Sequence, residues 1–160
     1  MSPRHGFTLL ELMLVVMIGS LIMGVAVPSV AGLMREQKLK QTFEEFDDFV
    51  RTAQSRAIGE RGTYVMVWEK EGINLVPLDP VATGGREAAA APQTFAFAED
   101  AIWTLQRPAA LVKQPVWEWP FWRSGACEPV VVTYESPAGT WMAEYNGLTG
   151  RGKLVEIDVK

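Results

Sequence analysis

One stretch of the sequence constrains the fold more than any other. The 23 residues from Leu12 to Met34 contain no Lys, Arg, Asp or Glu. About 20 apolar residues in a helix are enough to cross a hydrocarbon core of roughly 30 Å. Gly19, Ser20 and Gly24 are small residues of the kind that let membrane helices pack closely. The segment therefore predicts a membrane-spanning helix.

A single carboxylate, Glu11, stands at the entry to this segment. A charged side chain at a helix centre in a bilayer costs about 2.5–3.5 kcal/mol, and such residues usually have a functional partner. A cleaved secretory signal is one interpretation, because Arg4 and His5 form a basic start and Ser29-Val30-Ala31 resembles a cleavage site. Its apolar core would exceed the usual length, however. A plain membrane anchor is a second interpretation. Neither interpretation explains Glu11.

A third interpretation does explain it. The run Gly6-Phe7-Thr8-Leu9-Leu10-Glu11 resembles the processing site of type IV pilins and type II secretion pseudopilins. The resemblance implies that prepilin peptidase cuts between Gly6 and Phe7 and then N-methylates Phe7. It also implies a leader of residues 1–6 and places Pro28 where this family commonly has a helix-kinking proline.

The same resemblance implies a role for Glu11 in subunit assembly. Cleavage would leave a free α-amino group at Phe7, one helical turn from the Glu11 carboxylate, so that a pair within one molecule is possible. The assembly model of the family instead pairs the glutamate with the amino terminus of a neighbouring subunit. Such a pair would relieve the cost of the buried charge and fix the axial register between neighbours.

After Met34 the chain becomes polar but keeps a helical period. Apolar side chains recur at spacings of 4, 3, 4, 3 and 4: Leu39, Phe43, Phe46, Val50, Ala53 and Ala57. Gly59 and Gly62 then supply a stop signal. We expect residues 35–58 to be the amphipathic half of one nearly continuous helix, about 78 Å long. Its stripe should pack on the globular part of the same chain.

From Thr63 onward the apolar period changes to two. Strands are predicted at Thr63–Trp68, Ile73–Leu78, Gln93–Phe97, Ile102–Leu105, Val130–Tyr134, Trp141–Tyr145 and Leu154–Val159. Turns are predicted at Glu69–Gly72, Ser136–Gly139 and Asn146-Gly147, and a surface loop at Pro80–Pro92.

The predicted fold class is α+β. A long N-terminal helix, membrane-spanning in residues 7–34 and amphipathic in 35–58, packs on a head of residues 59–160. That head is an antiparallel β-sheet or a small β-sandwich.

An aromatic run follows the predicted loop region. Trp117, Trp119 and Phe121 would share one face of a strand, with Trp122 on the other face. We favour core packing for this run over a protein-contact patch or base stacking on single-stranded DNA.

Several kinds of site are disfavoured by composition. Cys127 is the only cysteine and His5 the only histidine, so an intramolecular disulfide and a cysteine zinc site are excluded, and many histidine-based hydrolase mechanisms are disfavoured. The formal net charge of −4 argues against general nucleic-acid binding. No dense loop of oxygen ligands for calcium is present near the C-terminus. We therefore predict neither a cofactor nor a metal, and no enzymatic activity.

The resemblance implies a structural subunit of a type II secretion pseudopilus or a type IV pilus. The stretch Val50–Ile58, followed by a β-rich head, is most similar to the H-type minor pseudopilin. Expected partners are prepilin peptidase, other pilin or pseudopilin subunits, the inner membrane and its assembly platform, with no nucleic acid. The expected location is the bacterial inner membrane, single-pass, with the head in the periplasm. Two alternatives remain: a minor pilin that binds DNA for uptake, and a simple membrane-anchored periplasmic protein.

Overall fold

The computed structural model describes residues 8–78, 93–108 and 117–160, with the backbone alone for 24–31. Residues 1–35 and 36–160 form two compact units, which we describe separately. The predicted loop at Pro80–Pro92 lies outside the described residues. The elements in chain order are α1 (Leu9–Gly59), β1 (Tyr64–Trp68), β2 (Gly72–Pro77), β3 (Gln93–Ala96), β4 (Ile102–Gln106), β5 (Glu118–Phe121), β6 (Val130–Ser136), β7 (Gly139–Tyr145) and β8 (Gly152–Val159).

The first unit contains the start of α1. Thr8 caps the helix: its backbone oxygen accepts from the backbone N–H groups of Glu11 and Leu12 at 3.1 and 3.2 Å. Exposed apolar side chains then cover every face of the helix: Leu9, Leu10, Leu12, Met13, Leu14, Val15, Val16, Met17, Ile18, Leu21, Ile22 and Met23. Among the helical residues that the structure describes, no segment is both long enough and apolar enough to cross a membrane.

The second unit contains the rest of α1 and all the strands. The predicted apolar stripe of the helix is confirmed: Leu39, Phe46, Val50, Ala53 and Ala57 are buried. Phe49, which broadens the stripe, is also buried. Phe43 is only half-buried and packs edge-on against Trp141, with ring centroids 5.5 Å apart.

The strands form two four-stranded antiparallel sheets. The first has the order β3-β2-β1-β5 and the second β4-β6-β7-β8. The predicted turn between β1 and β2 is confirmed, because the Glu69 N–H donates to the Gly72 carbonyl at 2.8 Å. In the second sheet, β6 and β7 pair from Val130↔Tyr145 to Ser136↔Gly139. The predicted α+β class, a helix packed on antiparallel sheets, is therefore confirmed.

Phe46 of α1 lies at the centre of the core. Its ring centroid is 5.0–6.4 Å from those of Trp68 and Phe95 in the first sheet and of Trp103, Trp141 and Tyr145 in the second. Aromatic pairs at such distances stabilise by about 0.5–1.5 kcal/mol beyond the area that they bury. One helical side chain thus connects both sheets.

The structure contradicts one prediction for the aromatic run, that Trp117 shares a strand face with Trp119 and Phe121. Trp119 and Phe121 of β5 are fully buried, and the Trp119 indole N–H donates to the Glu128 carbonyl at 2.8 Å. Trp117 does not share their buried face, because its side chain is 64% exposed. The strand begins at Glu118, so the alternation of side chains between its two faces does not extend to Trp117. Trp122, which follows the strand, is 40% exposed.

Candidate functional site

The candidate site from the sequence lies at the start of α1. Glu11 is in the first helical turn, with an exposed side chain, and its backbone N–H also donates to the Thr8 hydroxyl at 3.3 Å. A carboxylate at this position is favoured by the helix macrodipole. Within the described residues, the Glu11 carboxylate has no ion-pair partner. Gly6 and Phe7 lie outside the described residues.

Thr8 is the residue that sequence reasoning missed at this site. A threonine at the N-cap followed three residues later by glutamate has the spacing of a capping box, which was readable from Thr8-Leu9-Leu10-Glu11. The cap fixes where α1 begins, and so fixes how far Glu11 lies from the start of the helix.

Pro28 lies inside α1, whose backbone is helical from Leu9 to Gly59. Proline removes one backbone hydrogen bond and clashes with the preceding turn, so that a helix either kinks or ends there. Here the helix does not end. The side chain of Pro28 lies outside the described residues, and the kink stays a prediction.

Two side chains of α1 fix the strand connections of the second unit. Asp47 is buried; one carboxylate oxygen accepts from the Gly152 N–H at 3.2 Å, and the other pairs with Arg51 at 2.6 Å. Gln54 donates from Nε2 to the carbonyls of Gly125 at 2.7 Å and Thr149 at 3.0 Å. Hydrogen bonds from the last part of α1 therefore fix the positions of the connections around residues 125 and 149.

The described residues show neither a metal-binding cluster nor a reactive cysteine. Among them, no group of three or more His, Cys, Asp or Glu side chains could hold a metal ion. Burial raises the pKa of the Cys127 thiol to about 11. The thiol therefore stays protonated at neutral pH, whereas a nucleophilic cysteine must be a thiolate. Arg107, ten residues before Trp117 in the sequence, forms an ion pair with Glu128 at 2.8 Å between Nε and Oε2.

Comparison with known families decides the nature of the N-terminal segment. Residues 1–27 match the model of the prokaryotic N-terminal methylation motif. The chain therefore carries a prokaryotic N-terminal methylation motif. This prepilin-type motif contains Gly6, Phe7 and Glu11, and Pro28 follows it by one residue.

Comparisons over the whole chain give less information about its relatives. No protein of curated function matches the chain. Among solved structures, the chain is similar to the minor pseudopilin EpsH from the type 2 secretion system of Vibrio cholerae. The identity is 13%, the TM-score is 0.48, and the match covers 73% of this chain and 95% of the other.

Proposed function

We propose that this protein is a structural subunit, of the minor class, of a type II secretion pseudopilus or a type IV pilus. The observation that carries the proposal is the methylation motif in residues 1–27, because the part of α1 inside it has exposed apolar side chains on every face. A helix that is hydrophobic all round requires an apolar environment. Neighbouring helices of a filament and the bilayer both supply one.

Processing is the first step of the proposed role. Prepilin peptidase cleaves between Gly6 and Phe7, removes residues 1–6 and N-methylates Phe7. Glycine before the cut has no side chain, so that the peptidase can bind the backbone closely. The new α-amino group then belongs to Phe7, four residues before Glu11 in the sequence.

Glu11 is the proposed assembly residue. Its carboxylate is exposed, and it has no ion-pair partner within the described residues. An amino terminus of a neighbouring subunit supplies the counter-charge. Because an unpaired carboxylate in an apolar environment is costly, only a neighbour at the correct axial offset is accepted.

The proposed location is the bacterial inner membrane, with residues 7–34 spanning it once and the head in the periplasm. The proposed partners are prepilin peptidase, other pilin or pseudopilin subunits and the inner-membrane assembly platform. Within the class we propose the H-type minor pseudopilin. That assignment is supported by the stretch Val50–Ile58, at the end of α1, and by the β-rich unit that follows it.

Photo-crosslinking in native cells tests this function. A crosslinking amino acid at Val16, on the exposed apolar part of α1, should form adducts with other subunits that carry the same motif. The control position is Ser55, which is exposed on the polar face of the helix. Gly6→Leu should abolish the Val16 adducts because the leader is retained. Absence of adducts at Val16, or adducts that persist unchanged with Gly6→Leu, would refute the proposal.

A further inference from the structure

Three connections meet at one end of the unit of residues 36–160. The first follows α1, the second follows β5, and the third joins β7 to β8. The side chain of Ile58, at the end of α1, lies beside Gly125 of the second connection, where an added Cβ would be 2.7 Å from Ile58 Cδ1. Gln54 donates to the carbonyls of Gly125 and Thr149, and so joins the second connection to the third. These contacts place the three connections side by side.

Each connection carries one exposed arginine: Arg61, Arg123 and Arg151. We call the surface that they define the arginine end. None of the three guanidinium groups forms an ion pair with any residue that the structure describes. A guanidinium group is always charged and has five N–H donors, which bind carboxylate or phosphate oxygens. The arginine end therefore offers three cations to an anionic ligand.

Carboxylates in this part of the unit do not cancel the arginines. Glu128 is paired with Arg107 at 2.8 Å, and Glu144 lies opposite Lys153 in the register of β7 and β8. Glu60 follows α1, and its carboxylate accepts a hydrogen bond from a tyrosine hydroxyl. If Glu60 is counted in full against the three arginines, the positive charge still exceeds the negative. Such an excess, in a chain of net charge −4, attracts an anionic surface.

Apolar side chains are exposed beside these arginines. Ile58 is 51%, Trp122 40% and Leu148 83% exposed. The turn that presents Leu148 is held by the Asn146 side-chain oxygen, which accepts from the N–H groups of Leu148 at 2.9 Å and Thr149 at 3.2 Å. A side chain on an ordered turn loses less conformational entropy on binding than one on a flexible loop.

This set of side chains has the chemistry of a membrane-binding surface. Arginine is attracted to anionic headgroups, tryptophan favours the interface between lipid and water, and aliphatic groups gain by entering the acyl region. A nucleic acid would also bind the arginines through its phosphates, but it would gain little from an aliphatic side chain such as Leu148. The exposed apolar groups therefore favour a lipid surface over a nucleic acid.

We propose that the arginine end docks on a bilayer that contains anionic lipid. The three arginines contact headgroup phosphates, while Trp122 and Leu148 enter the interface. The bilayer is a second one, distinct from that proposed to hold residues 7–34. The reason lies in α1: the chain enters this unit at Glu36, and at 1.5 Å per residue Ile58 lies about 33 Å further along the helix. The docking requires neither cleavage of the leader nor contact between subunits, so its test is separate from that of the proposed function.

Retention of protein-free vesicles measures the docking. The full chain is reconstituted in phosphatidylcholine vesicles, which are immobilised and incubated with fluorescent acceptor vesicles that carry no protein. Acceptors with about 30 mol% phosphatidylglycerol should be retained about tenfold more than acceptors of phosphatidylcholine alone. Retention should fall on the order of tenfold between 50 and 500 mM NaCl, because salt screens exposed charges. Since the acceptors carry no protein, contact between copies of the chain cannot produce the signal.

Two variants separate the contribution of charge from that of apolar insertion. Arg123→Glu with Arg151→Glu should lower retention about tenfold or more. Leu148→Ser keeps every charge and should lower retention several-fold, because it removes the most exposed apolar side chain of this surface. The matched control is Lys38→Glu with Lys70→Glu, which makes the same change in net charge at two exposed lysines away from the arginine end and should leave retention unchanged. All substituted side chains are exposed, and circular dichroism verifies that each variant is folded.

Three results would overturn the proposal. The first is retention that does not depend on anionic lipid. The second is equal retention by the arginine variant and its lysine control, or by Leu148→Ser and the wild-type chain. The third comes from a parallel measurement with fluorescent single-stranded DNA: binding of the DNA through the same arginines, without retention of anionic vesicles, would assign this surface to a nucleic acid.

Discussion

At the scale of single residues, Glu11 has two properties that bear on its proposed role in assembly. It follows the Thr8 cap by three positions, so its place relative to the start of α1 is fixed by hydrogen bonds. Its carboxylate is exposed in an otherwise apolar segment. A charge in such a place is tolerated when a partner is present, and it makes association without that partner unfavourable.

Glu11→Val should be cleaved and inserted normally but should enter the filament poorly. Loss of an ion pair that contributes about 1.4 kcal/mol lowers incorporation about tenfold. Glu11→Gln should behave like Glu11→Val, since it keeps the size and removes the charge. The control is Leu12→Val, a change in the adjacent apolar residue. Quantitative immunoblotting of sheared filaments measures incorporation, and normal incorporation of Glu11→Gln would contradict the pairing of charges.

Cys127 is a second residue whose environment decides its behaviour. It is 4% exposed, and burial raises the pKa of its thiol to about 11. The reactive form is the thiolate, and only a small fraction of the thiol is in this form at a pH well below its pKa.

The native protein should therefore react with a disulfide reagent at pH 8 at least tenfold more slowly than an exposed thiol, and fully once denatured. A matched control places the thiol three residues away, as Ser124→Cys in a Cys127→Ala background, because Ser124 is exposed. Absorbance of the released thiolate gives the rate. Equal rates for the two native proteins would show that burial does not protect the Cys127 thiol from the reagent.

At the scale of elements, α1 was the most predictable part of the chain. A period of 3.6 identified the buried side chains of Leu39, Phe46 and Val50, and glycine identified the end of the helix at Gly59. The reason is physical: the stripe is a local pattern, and burial of one helix face depends little on which strands cover it. The role of Gln54 could not be predicted, because its partners Gly125 and Thr149 lie 71 and 95 positions away.

Gln54→Ala should lower the free energy of unfolding by about 1–3 kcal/mol, since it leaves two carbonyls without their donor. Ser55→Ala is the control: it changes an exposed neighbour on the same helix and should shift stability by less than about 0.5 kcal/mol. Chemical denaturation followed by tryptophan fluorescence measures both. Equal stability of the two variants would show that the two hydrogen bonds from Gln54 do not contribute to the free energy of unfolding.

At the scale of the whole molecule, the α+β class and most strands followed from the sequence, but their arrangement did not. The turn at Glu69–Gly72 predicted the pairing of β1 with β2, which are neighbours in the chain. The placement of β5 beside β1, and the division into two sheets, depend on contacts between distant segments. Only the packed core selects among such arrangements. The start of β5, and with it the exposure of Trp117, belongs to this unpredictable part.

The methylation motif was predictable for a different reason. The motif in residues 1–27 is a continuous segment, so that its spacing is visible without any knowledge of the fold.

The central claim is that the chain becomes an assembly subunit only after cleavage behind Gly6. Intact mass spectrometry of the protein from native cells tests it most directly. The account predicts a single product that runs from Phe7 to Lys160 and carries one added methyl group at its amino terminus. A product that still begins at Met1 or Ser2, or one that is trimmed behind Ala31, would contradict it.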